Sequence, residues 1–139
     1  MKKLFTAFFI LCCLTSFGQK ALHLYGGKGH DVYLGCLNCS KYEASSIWNS
    51  YGTYGSRFSS TSIWNSFGNY GSEFSATSPF NRYAMDPPVI VDAEGGFYGY
   101  FTVNEYKGKR ADFQLVLVIY QYYNVIREDL SEWYDKIFR

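Results

Sequence analysis

Two cysteines three positions apart carry the most readily defined chemistry in this sequence. Cys36 and Cys39 enclose Leu37 and Asn38 in a Cys-x-x-Cys motif. In an exported chain, two cysteines this close together are expected to form a disulfide that closes a small loop. Two alternatives stay open: a redox-active dithiol, and a zinc site in which His30 adds a ligand to the two thiolates. The disulfide is the preferred interpretation.

Other catalytic chemistry is not indicated by the sequence. It contains no Ser/His/Asp nucleophile motif, no phosphate-binding loop and no metalloprotease motif. Asp92 and Glu94 could form an acidic pair, but they precede Gly95 and Gly96 in a predicted hairpin turn, where solvated carboxylates are the common case. We therefore expect a non-catalytic protein without a cofactor.

The cysteine motif belongs to an internal repeat. The segment 46–56 is written again, with two substitutions, as 62–72, sixteen residues later, and a shortened third copy occupies 78–83. Such self-similarity indicates one local structural unit used repeatedly. Shifted by the same period, both cysteines align with glycines of the next copy, so the motif lies at a predicted turn.

Aromatic residues recur within each copy at steps of three, three and four. They are Trp48, Tyr51, Tyr54 and Phe58 in the first copy and Trp64, Phe67, Tyr70 and Phe74 in the second. On a helix these steps place all four rings within about a third of the circumference. Ser46 and Ser62 are suitable N-caps, and a strand would need steps of two. The pattern therefore predicts a short helix and a loop in every copy.

This repeated aromatic face can fill a core or bind a ligand. Aromatic residues make up 21% of the chain. Tyrosine and tryptophan offer rigid stacking area at low entropic cost, so some of these rings could form a platform for sugar rings or for a peptide. The candidate ligand-binding residues are Trp48, Tyr51, Tyr54, Trp64, Phe67 and Tyr70.

Predicted strands flank the repeats on both sides. Residues 22–25 and 32–35 enclose a glycine-rich loop, and residues 89–91 and 97–103 enclose a second turn that contains two glycines. We predict that the two hairpins join in one small antiparallel sheet, with the short repeated helices inserted between them.

The C-terminal third predicts two helices. The segment 112–123 is almost continuously apolar; its β-branched residues favour a strand, but its length favours a helix, which we prefer. Apolar residues of 130–138 follow a helical period, and Asp129 is a suitable N-cap. We expect both helices to pack on the sheet, which gives an α+β fold.

The N-terminal segment is typical of a signal peptide. Two lysines precede an apolar run at 4–17 that ends in small residues, which predicts cleavage before Gln19. Residues 1–18 are then the signal peptide and 19–139 a single domain. The expected location is secreted, periplasmic or in the cell envelope.

Charge and hydropathy restrict the partners. The net charge is +1, so no long-range field draws the chain to a phosphate backbone, and a nucleic-acid partner is disfavoured. The apolar run near the C-terminus is too short to cross a bilayer, so no transmembrane span is expected after signal removal. The expected partner is a glycan or a protein of the envelope or the extracellular space.

Three features together resemble a family of small secreted bacterial proteins with no assigned activity. They are the segment 33–39, the Ser-Ile-Trp-Asn and Tyr-Gly repeats, and the segment 87–104 with its Pro-Pro-Val-Ile-Val-Asp start and Gly-Tyr-Phe-Thr-Val-Asn end. The resemblance covers about residues 24 to 105 and implies export and one domain. Similar segments accompany secreted nucleases in longer chains, but this sequence contains no nuclease motif, so no catalytic residue is transferred.

Overall fold

Within residues 19–139 the secondary structure comprises four short strands and two helices. A computed structural model describes residues 19–139, and the predicted signal peptide at 1–18 lies outside the described residues. The elements are β1 (His23–Gly26), β2 (Val32–Cys36), β3 (Val89–Val91), β4 (Phe97–Tyr100), α1 (Gln114–Ile126) and α2 (Leu130–Phe138). The predicted α+β class is confirmed.

The strands form one antiparallel sheet in the order β2-β1-β3-β4. β1 and β2 make the first hairpin and β3 and β4 the second, and the pairing of β1 with β3 joins them. At that junction Leu24 lies opposite Ile90, and both side chains are completely buried. The prediction of two hairpins in one sheet is confirmed.

The repeats do not form the predicted helices. Between β2 and β3 the described chain contains no helix and runs through linked turns. The amide of Ser46 donates to Glu43 O at 3.2 Å, Asn49 N donates to Ser46 O at 3.3 Å, and Gly52 N donates to Asn49 O at 3.0 Å. Each turn thus begins where the previous one ends, and a copy of sixteen residues forms one coil.

Serine and asparagine side chains explain why turns replace helices. Ser46 Oγ accepts a hydrogen bond from Trp48 N at 3.0 Å, and Asn49 Oδ1 accepts one from Tyr51 N at 3.1 Å. Ser62 and Asn65 make the same bonds in the next coil. These side chains take backbone donors that a helix would need, which favours consecutive turns.

One large ring from each coil enters the core. Trp48, Trp64 and Phe80 are 1%, 1% and 2% exposed, and successive ring centroids are 5.8 and 5.9 Å apart. Each indole N–H donates to a carbonyl of the preceding segment, from Trp48 to Leu37 at 2.8 Å and from Trp64 to Ile47 at 2.7 Å. We call these three rings the buried ring column. It stacks the coils in register.

The two helices cover this column. Tyr123 of α1 stacks on Phe80 with ring centroids 4.3 Å apart, and Tyr134 and Phe138 of α2 contact Trp48. The prediction that the helices pack on the sheet holds at one edge, where the Tyr120 hydroxyl lies 3.5 Å from the carbonyl oxygen at the end of β4. Three ring contacts of the helices are with the buried ring column, and one, between Tyr120 and Phe101, is with the segment after β4.

The helix boundaries agree with the sequence patterns. α1 confirms the helical interpretation of 112–123, and Asp129 accepts a hydrogen bond from Glu132 N at 3.1 Å as the N-cap of α2. In residues 19–139 neither helix is long and apolar enough to cross a membrane.

Candidate functional site

Four of the six candidate ligand-binding residues lie inside the fold. Trp48 and Trp64 belong to the buried ring column and are not available to a ligand. Tyr54 and Tyr70 are half-buried. The Tyr54 ring meets Tyr33 of β2 edge-on at 4.9 Å, and Tyr70 packs against the core cluster. These four side chains hold the coils together and to the sheet.

The other two candidates are almost fully exposed. Tyr51 and Phe67 are 98% and 97% exposed, and Tyr83 at the equivalent position of the third copy is 73% exposed. Each of these residues lies two positions after a turn asparagine, whose Oδ1 accepts its backbone N–H at 3.1, 3.1 and 2.9 Å respectively. We call these three rings the Asn column.

A second set of exposed rings was missed by the sequence interpretation. Tyr42, Phe58 and Phe74 are 81%, 87% and 92% exposed. Each follows a turn serine by two positions, and the serine Oγ accepts its backbone N–H at 3.3, 3.2 and 3.1 Å. We call them the Ser column. Their sixteen-residue alignment was the available signal, but the helical interpretation placed Phe58 and Phe74 on the same face as Trp48 and Trp64 and left them out of the candidate ligand-binding residues.

Three surface grooves connect the two columns, because each groove is lined by one ring of each column. The groove volumes are about 220, 460 and 400 Å³. The ring pairs are Tyr42 with Tyr51, Tyr51 with Phe58, and Phe74 with Tyr83. Phe67 lines none of these grooves and joins the set through its equivalent position in the Asn column. We call the six rings and the three grooves the aromatic ladder.

Charged side chains line the middle groove beside Tyr51 and Phe58. Arg57 pairs with Glu128 at 3.2 Å, and both side chains are accessible. The Nε and Nη2 atoms of Arg127 are buried and have no hydrogen-bond partner within residues 19–139. Burial lowers the pKa of Arg127, whose guanidinium lies 5.5 Å from the Tyr123 ring centroid. The groove thus combines aromatic rings for stacking with positively charged hydrogen-bond donors and negatively charged acceptors.

The two cysteines form the expected disulfide. Cys36 and Cys39 are bonded, with Cα atoms 5.5 Å apart. Cys36 is completely buried; its N–H donates to Ser45 O at 2.7 Å and its carbonyl accepts from Ile47 N at 3.0 Å. The bridge therefore fixes the junction between β2 and the first coil, which is a structural position.

The zinc alternative finds no support in the described residues. Both sulfurs are bonded to each other, so no thiolate pair is present. His30 Nε2 lies 3.1 Å from Pro87 O. Within residues 19–139, no group of three or more His, Cys, Asp or Glu side chains is arranged to hold a metal ion. The redox alternative stays a prediction.

The hairpin carboxylates predicted to be solvated differ in their surroundings. Glu94 is exposed, but Asp92 is 7% exposed. Its carboxylate accepts hydrogen bonds from the Tyr98 hydroxyl at 2.7 Å, Gly96 N at 2.8 Å and Glu94 N at 3.0 Å. The bonds from Tyr98 and Gly96 lower the pKa of Asp92. This carboxylate organises the β3–β4 turn.

Comparisons with protein-family models, with curated proteins and with solved structures find no match to this chain. The aromatic ladder is therefore interpreted from its own geometry.

Proposed function

We propose that this protein is an exported, non-catalytic binding module whose aromatic ladder holds a linear glycan chain. One observation carries the proposal: successive coils expose rings at two equivalent positions and bury a ring at a third. Aromatic side chains thus occupy two opposite environments in every coil.

A contiguous set of exposed aromatic rings favours a binding role. Large contiguous apolar patches on a protein surface mark interaction sites, whereas single exposed apolar residues need no explanation. Here six rings, 73% to 98% exposed, recur in two columns, and five of them line the three grooves. Backbone bonds to turn serines and asparagines hold the turn under each ring, so the surface is formed before a ligand arrives.

A repeating ligand fits a repeating site. The rings of the buried column, one from each coil, lie 5.8 and 5.9 Å apart, which is close to the length of one sugar residue in an extended chain. The apolar face of a pyranose stacks on an aromatic ring, and its hydroxyls need donors and acceptors beside that ring. Ser50, Asn49 and Arg57 supply such groups in the grooves.

Charge and compartment agree with a neutral extracellular glycan. The net charge of +1 gives no reason for binding to a polyanion. The Cys36–Cys39 disulfide is a bond that persists in oxidising compartments outside the cytosol. Together with the predicted signal peptide, it supports action in the envelope or the extracellular space.

Retention on insoluble polysaccharides tests the proposal. The mature chain is incubated with cellulose, chitin and xylan, and the bound fraction is measured for the wild type and for a Tyr51→Ala/Phe67→Ala double variant. We expect retention on at least one polymer, and about a thirtyfold weaker affinity in the double variant, since each of the two lost stacking contacts is worth about 1 kcal/mol.

The matched control is Met85→Ala, which removes an apolar side chain that is 76% exposed outside the ladder. It should bind like the wild type. Absence of retention on all three polymers, or equal losses in the control and the double variant, would refute glycan binding by the ladder. Self-association abolished by Phe67→Ala would instead identify a second copy of the chain as the occupant.

A further inference from the structure

We infer that the Asn column has a fourth ring, Tyr106, which comes from the chain after the sheet and not from the sequence repeat. The inference rests on the proposed function and extends its binding surface by one coil. Tyr106 follows Tyr83 by twenty-three residues, so the sixteen-residue period does not reveal it.

The chain after β4 continues the stack of coils. Phe101 is completely buried, and its ring centroid lies 6.2 Å from that of Phe80, close to the spacing within the buried ring column. The backbone N–H of Val103 donates to Pro79 O at 2.8 Å. This segment therefore lies directly against the third coil, where a further sequence repeat would lie.

A turn of the same kind then follows. Lys107 N donates to Asn104 O at 3.2 Å, as Ala84 N donates to Asn81 O at 3.0 Å in the third coil. The Asn104 side chain joins the two turns, because its Nδ2 donates to Ala84 O at 3.0 Å. Lys107 Nζ makes a second link, to Met85 O at 3.3 Å. The two turns are thus stacked on one another.

Tyr106 occupies the ring position of this turn. Its N–H donates to Asn104 Oδ1 at 3.0 Å, matching the bond from Tyr83 N to Asn81 Oδ1 at 2.9 Å. The Tyr106 side chain is 91% exposed. Tyr51, Phe67, Tyr83 and Tyr106 therefore form a column of four rings with one backbone geometry, and a bound glycan chain can extend beyond the repeats.

The length of the bound glycan distinguishes the contribution of Tyr106 from the contributions of the other three rings. A hexasaccharide is long enough to reach all four rings, whereas a disaccharide can bind at any adjacent pair. Titration calorimetry is therefore carried out with the hexasaccharides and the disaccharides of cellulose, chitin and xylan. The variants are Tyr106→Ala, Tyr106→Phe, which keeps a ring, and Glu105→Ala as an exposed control on the same turn.

For a hexasaccharide that binds, we expect Tyr106→Ala to weaken affinity about three- to tenfold, the loss of one stacking contact. Tyr106→Phe and Glu105→Ala should bind like the wild type, and Tyr106→Ala should change disaccharide affinity by less than about twofold, because the other adjacent ring pairs remain. Unchanged hexasaccharide binding in Tyr106→Ala, alongside a clear loss in Tyr51→Ala/Phe67→Ala, would overturn the fourth ring but leave the proposed function intact. Unchanged binding in both variants, or no binding of any hexasaccharide, would overturn both.

Discussion

Gly55 and Gly71 stand where the backbone of the coil leaves no room for a Cβ atom. A Cβ atom added at Gly55 would overlap the carbonyl of Asn49, and one added at Gly71 would overlap the carbonyl of Asn65. The neighbour is backbone in both cases and cannot rotate away. Glycine at these positions is therefore a steric requirement of the coil.

Gly71→Ala should accordingly lower the free energy of unfolding by roughly 2 to 4 kcal/mol, because the added methyl group forces the coil backbone apart. Gly108→Ala is the control, since a Cβ there meets nothing within 4 Å. That change should be neutral, or stabilising by about 0.5 kcal/mol. Urea denaturation of both variants makes the comparison, and equal stabilities would show that the coil does not close as described.

Elements with an unambiguous period could be predicted, and the coils could not. The 89–91 and 97–100 strands flank a turn with adjacent glycines, and α2 has an apolar face and a capping aspartate, so local chemistry identifies them. In the repeats, a step of three residues describes both a helix and a chain of linked turns. Hydrogen bonds from Ser46 and Asn49 to the backbone decide between them.

Only part of the candidate site could be predicted, because the repeats were interpreted as helices. Tyr51 and Phe67 were identified, but a helical face would have exposed or buried all four rings of a copy together. In a coil of turns, neighbouring aromatic positions point to opposite sides, so Trp48 enters the core while Tyr51 and Phe58 face solvent.

Tyr120 links α1 to the segment that follows β4, and it makes the free energy of unfolding depend on pH. Its hydroxyl accepts from Thr102 N at 3.2 Å and donates to Ala111 O at 2.9 Å. Burial raises the pKa of Tyr120 to about 12. Because the folded state favours the neutral phenol, this contribution to stability is complete below the ordinary tyrosine pKa of about 10 and is lost as the pH rises toward the folded-state value.

The free energy of unfolding should therefore fall more steeply with alkaline pH in the wild type than in Tyr120→Phe. At neutral pH the variant should be about 1 to 2 kcal/mol less stable, since it leaves the Thr102 N–H without its partner. Denaturation curves at neutral and alkaline pH check both effects. Parallel pH profiles would show that this hydroxyl does not ionise on unfolding as described.

At the scale of the whole molecule, the coils resemble a short solenoid whose ends and one side are covered. Stacked repeats bury their faces against one another and need capping at the ends. α2 covers Trp48 at the first coil, and Phe101 follows Phe80 at the last. The disulfide anchors the stack to the sheet. This arrangement leaves the aromatic ladder as the surface on which the repeats can act together.

The most direct test of ligand binding by the ladder is a map of amide chemical-shift changes in the isotope-labelled protein, titrated with the hexasaccharides of cellulose, chitin and xylan. We expect one of them to shift the amides of Tyr51, Phe67 and Tyr83 together, while the amides of His23 and Tyr25 in β1 stay unchanged. Shifts confined to the sheet, or no shifts with any hexasaccharide, would contradict ligand binding by the ladder.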